Sequence, residues 1–232
     1  MHTNKTVFTG GILRTAGTLR AATSRRTTAV EFADHSPTWS RLRAQGVLSA
    51  EDPPGELRVD LDESTPVVTF DIAAHDHPQS GTLPAAIVRV PRGEIGPIVE
   101  GIVHKLRLPE TAVVPVGTWR RVFEAVAKPM SVHEQWRAID AAATVELNTR
   151  DPLVFGPAHH HLLRDLVNAV IEGEAPDQGI SVVALGVRVV IEVSPGGQLI
   201  VFAGDEHLAA PVRGVIEHRS EEHTSELQSR IR

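Results

Sequence analysis

The chain has 232 residues, 41% of them hydrophobic, and a formal net charge of −6, enough for one ordinary domain with a core or for two small ones. It holds no cysteine and no tyrosine, which excludes a disulfide framework, thiolate chemistry, cysteine-ligated metal and phenolic acid–base work. Aromatic residues make up 4%, too few for a stacking platform on single-stranded nucleic acid, and no apolar run approaches a membrane span.

Met1–Arg26 carries Lys5, Arg14, Arg20, Arg25 and Arg26 and no acid. Its composition is that of a basic disordered arm or a mis-assigned start; the interrupted run Val7–Leu13 is too broken for a secretory signal. From Thr27 to His218 the chain has 15 basic against 26 acidic side chains, a balance of −11. Such a body is a poor phosphate-backbone binder, so neither a nucleic acid nor a membrane is expected as partner. Arginine outnumbers lysine twenty to three, a bias that fits GC-rich bacterial coding DNA.

Residues 27–55 read as a weakly helical lead-in and linker. Ser36-Pro37 starts a helix, Trp39, Leu42 and Val47 face inward, and Gly46 ends it. Ala50–Gly55 is a linker. Alternation predicts strands at Leu57–Leu61, Val67–Ala73 and Ala85–Val90. Joined by the turn-rich segment His75–Gly81, they suggest an antiparallel meander.

Gly93–Leu106 repeats Ile95, Ile98, Val99, Ile102 and Val103 at helical spacing. Ala112–Val116 is a short extended segment. Thr118–Ala127 is a helix that Pro129 ends, and Ser131 to Glu134 forms a capping box for the next one. Pro157–Glu172 is the clearest helix. Ser181–Leu185, Val187–Val193 and Gln198–Ala203 are strands, the last two joined as a hairpin by Ser194-Pro195-Gly196-Gly197. Asp205 caps a final helix through Leu208, Val212 and Ile216.

These elements make one α+β domain over residues 56–218. Antiparallel strand groups at 57–90 and 181–203 flank three to four helices, and the strands join in one sheet packed by helices. Residues 219–232, beginning Arg219-Ser220-Glu221-Glu222-His223, resemble the translation of a sequencing-library adapter over Arg219–Ser229, so this tail is expected to be non-native and to project as coil or unpacked helix.

Histidines are the main chemistry-bearing residues, twelve in all. His75, Asp76 and His77 sit in a turn, and His159, His160 and His161 are consecutive. Neighbours on a helix diverge by about 100°, so the three cannot converge on one ion. A divalent metal such as zinc would need His75 and His77 to meet one of His159–His161, with His161 the outward-facing candidate. A simpler expectation pairs His161 with Asp165 one turn on. His133-Glu134 lacks the second histidine of a zinc-protease helix, and no phosphate-binding loop or nucleophile elbow occurs.

Two functions are compatible with this pattern. One is a non-enzymatic, cytoplasmic binding or assembly module without a cofactor, taking a protein partner or self-associating through the apolar hairpin Val187–Phe202. The alternative is a histidine-dependent metallohydrolase using His75, His77 and one of His159–His161.

Overall fold

The computed structural model describes residues 30–50, 58–62, 66–75, 87–142, 151–173, 175 and 178–230, with backbone only at 49, 50, 58, 75, 142 and 220–230. The basic arm, the Ala50–Gly55 linker beyond Ala50, and His77 lie outside these residues.

Ten strands and six α-helices are present among them. In chain order these are β1 (Glu31–Phe32), α1 (His35–Ala44), β2 (Val47–Ala50), β3 (Arg58–Leu61), β4 (Val68–His75), β5 (Ile87–Pro91), α2 (Ile95–Lys105) and β6 (Thr111–Pro115). Then follow α3 (Trp119–Met130), α4 (Glu134–Ala142), β7 (Leu153–Phe155), α5 (His160–Ile171), β8 (Ile180–Ala184), β9 (Val189–Ser194), β10 (Gln198–Ala203) and α6 (Glu206–Arg230). Eight strands form one sheet in the order β1-β7-β6-β8-β9-β10-β4-β5, while β2 and β3 pair separately. The class is α+β.

The expected meander is corrected. β3 pairs antiparallel with β2, with Val47 opposite Leu61, in the small sheet. β4 and β5 run parallel, with Ile72 opposite Val88. A tight hairpin spans only a few residues, whereas residues 76–86 separate these strands; that length lets β5 return in the same direction. The other edge of β4 is taken by β10, antiparallel, with Leu199 opposite Ile72.

The hairpin β9–β10 also has a different place from the one a dimer would need. β9 lies between β8 and β10, and β10 between β9 and β4. Their backbone groups are therefore already paired on both sides, and the hairpin offers no free edge to a second chain.

The Val- and Ile-rich strands are buried on two faces. On one face Val113, Ile180, Val182, Ile191, Leu199 and Val201 pack under α2, α3, α5 and α6. On the other, Ala112, Val114, Val154, Val183 and Val190 meet Trp39 and Leu42 of α1 with Val47, Val59 and Leu61 of the small sheet. The lead-in is thus part of the packed body, as the β1–β7 pairing also shows. Arg188 ties the layers: its guanidinium donates to the Asp62 carbonyl (2.8 Å) and to the Gly204 carbonyl (3.2 Å).

Most of the aromatic residues in the helical layer meet at one end. Trp119 stands edge-on to Phe32 and Phe123, at 5.7 and 5.9 Å, and Phe123 stacks on Trp136 at 4.4 Å. The buried Trp119 indole donates to the Asp151 carbonyl (2.8 Å), so its polar edge is satisfied. α3 runs through Pro129 to Met130. The ring removes one bond in the final turn and does not break the helix there. Ser131 consequently sits at a helix C-terminus, where its hydroxyl donates to the Lys128 carbonyl (2.7 Å). That corrects the capping box, since α4 begins only at Glu134. At the last helix the Leu208 N–H donates to Asp205 Oδ1 (2.8 Å), the expected cap.

α6 continues unbroken through Arg219 to Arg230. Arg219 Nη1 lies 3.6 Å from Glu94 Oε2; the side chains of Leu227 and Ile231 lie outside the described residues.

α2 and α5 lie side by side across the sheet. The Gly96 N–H donates to Asn168 Oδ1 (3.0 Å), and a Cβ at Gly96 would stand 2.7 Å from the Arg164 carbonyl oxygen. Only glycine fits that contact without moving a backbone. Gly96→Ala should therefore lower the unfolding free energy by about 2 kcal/mol, read as a lower urea midpoint at unchanged slope; an unchanged midpoint would count against the close contact.

Candidate functional site

At the opposite end of the α2–α5 pair a groove opens. Contacts between Gly96 and Asn168 at one end, and between His104 and His160 lining a common groove at the other, make the two helices antiparallel. The groove, about 500 Å³, is walled by Val103, Leu108, Pro109 and Pro157 and carries His104, Arg107 and His160. A shallower stretch of about 380 Å³ continues from it past Glu100, His161 and Arg219.

The Leu106–Pro109 wall is shaped by how α2 ends. The Leu108 N–H donates to the Val103 carbonyl (3.2 Å) and the Arg107 N–H to the His104 carbonyl (3.0 Å). This is the paired bond pattern of a Schellman ending, with its apolar contact between Val103 and Leu108. The pattern places one residue in the left-handed region, almost always glycine. Here it is Arg107, at φ 53°, and among the described non-glycine residues no other has a positive φ. An L side chain there costs about 1 kcal/mol. Its guanidinium is exposed and has no acid partner among the described residues.

The facing wall comes from Phe155 to His160. β7 ends at Phe155, a 3-10 turn spans Pro157–His159, and α5 follows at once. This puts His159 and His160 inward, 7% and 9% exposed. His160 Nε2 is buried without a hydrogen-bond partner, as is His159 Nδ1. Burial is the main influence on His160 and holds its pKa below the ordinary histidine range; Glu100 opposes this, and His104, His159 and His161 add to it. His160 is therefore a neutral imidazole whose free nitrogen can accept or donate one hydrogen bond.

His161 is exposed and lines the shallower stretch. The expected pairing with Asp165 does not form. Asp165 is held by Arg164 Nε (2.9 Å) and by His133 Nε2 (3.3 Å), which approaches from the loop between α3 and α4. Arg164 also reaches Glu100 (3.3 Å), so acids on this side are engaged by neighbouring arginines.

His75 ends β4, its backbone beside Pro91. α2 starts just beyond Pro91 and ends beside His160, so roughly ten residues of helix, at about 1.5 Å each, separate the backbone of His75 from the histidine groove. The His75 side chain and the whole of His77 lie outside the described residues. Among the described residues no three His, Asp or Glu side chains are grouped closely enough to hold a metal ion.

The structure thus gathers His104, Arg107 and His160, of which only His160 stood out in the sequence. His104 and Arg107 look like ordinary basic residues at a helix C-terminus, where they complement the dipole. The one available signal was the absence of glycine before Pro109.

No family model matches the chain, and neither a curated protein nor a solved structure matches it.

Two outcomes follow for the free protein. Arg107→Gly relieves the left-handed strain and should raise the unfolding free energy by about 0.5–1 kcal/mol; a fall would mean the arginine side chain supports the fold. For His160, the unfolded chain takes up a proton at the ordinary value near pH 6.5 while the folded imidazole resists. Between the two pKa values the unfolded state holds more protons, so stability falls as pH drops through that window and levels off below it. Denaturation at about pH 7.5 and about pH 5 should show a smaller loss in His160→Leu than in the parent chain; equal losses would remove His160 as the cause.

Proposed function

We propose that the protein is a non-enzymatic binding module whose ligand is a small molecule held in the groove between the C-terminus of α2 and the start of α5. The buried, unpartnered Nε2 of His160 at the groove supports this most directly. An unmatched buried polar atom costs about 1–3 kcal/mol, and a ligand that hydrogen-bonds to it recovers much of that loss. The groove, about 500 Å³, falls within the range of roughly 300–1,000 Å³ usual for small-molecule sites. Its make-up, apolar walls with a few polar groups at fixed places, is also that of a ligand site.

No helix among the described residues is long and apolar enough to cross a membrane. A cytoplasmic location fits this reading.

Saturation-transfer NMR of the full chain against a fragment library tests it. The expected hits compete for one site and vanish in His104→Trp, which fills the groove from an exposed position. Fragments that bind this variant as well as the parent, or no hits at all, would sink the reading. Stoichiometric zinc in the purified protein would instead revive a metallohydrolase built on His75, His77 and His161.

A further inference from the structure

We infer that the groove selects an amphipathic monoanion, a carboxylate with an apolar tail, and that Arg107 is its specificity-determining residue. The inference rests on the binding-module reading and goes on to name the ligand's chemistry.

Arg107 occupies a backbone position at φ 53° that favours glycine. A residue that costs stability there, with no acid partner among the described residues, has a guanidinium held at the groove with its donors available. A planar guanidinium presents paired N–H groups that match a carboxylate in two parallel hydrogen bonds. Val103, Leu108, Pro109 and Pro157 supply the apolar walls, against which a hydrocarbon tail loses its contact with water.

The charge count favours one negative charge over two. The other arginines near the groove are already engaged: Arg164 by Glu100 and Asp165, and Arg219 by Glu94. His160 is neutral because it is buried. That leaves the Arg107 guanidinium as the unengaged arginine of the groove, one full positive charge for the ligand.

Calorimetry on the full chain with three probes separates the possibilities. Octanoate carries the headgroup and tail, octanamide keeps the tail and removes the charge, and inorganic phosphate keeps charge without a tail. Octanoate should bind, octanamide about tenfold or more weaker, and phosphate not measurably. Arg107→Gly and Arg107→Gln should each lose octanoate binding by about tenfold or more, with a melting temperature equal to or above that of the parent. If octanoate and octanamide bind alike, or Arg107→Gly binds octanoate like the parent, the monoanion inference is overturned while the groove remains a ligand site. Phosphate binding as tight as octanoate overturns it too. If no probe binds and the fragment screen also finds nothing, both readings fall together.

Discussion

The structure depends on how closely α2 can approach α5. These two helices roof the sheet, and their spacing is set by the side chains between them. At the Gly96 end there is no side chain, and the backbone N–H of one helix reaches Asn168 on the other. The same end is tied by Arg92, whose guanidinium donates to the Ile171 carbonyl at the end of α5 (3.0 Å), and by the Gly196 N–H, which bonds the same carbonyl (3.1 Å). At the other end the interface holds histidines, prolines and an arginine, which do not close on one another. One helix pair thus has a sealed end and an open one, and the open end is the groove.

Polar satisfaction is uneven across the structure. Trp119, deep under the helical layer, has a partner for its indole N–H. Near the start of α5, His159 Nδ1 and His160 Nε2 are buried without one, as is Thr111 Oγ1, which strand register sets opposite Phe155; Trp39 Nε1, Gln45 Oε1 and Glu94 Oε2 are also buried without one, in other parts of the structure. A folded chain normally pairs its buried polar groups. Of these exceptions His160 lines the groove, together with the strained Arg107.

Much of the architecture could be read from local pattern. The stripes of α2, α3 and α5, the hairpin β9–β10 and the Asp205 cap each follow from spacing within a few residues. The failures came where a distant part of the chain decided the outcome. β3 looked like the first strand of a meander, but Val47 and Leu61 pair to close a separate ribbon over the second core. β5 looked like the return arm of a hairpin, yet it lies parallel beside β4, whose other edge takes β10 as its antiparallel partner. Ser131 fitted a capping box until α3 ran on past Pro129. The site was the least legible part. His160 was visible as one of three consecutive histidines, but nothing local brings it to the end of α2, and a helix that ends on arginine in a glycine conformation looks in sequence like any Leu-Arg-Leu.

The sheet order has a consequence for biosynthesis. β4 and β5 leave the ribosome before β10, and among the described residues β10 is the strand that links them to the rest of the large sheet. Until then their apolar residues, among them Ile72 and Val90, which end in the helix-side core, have no strand between them and the nascent half-sheet. β1 waits in the same way for β7. The two outer parts of the sheet are therefore completed by strands made after them, and the nascent polypeptide carries unpaired strand edges until β7 and β10 emerge, the period in which a holdase has the most to protect.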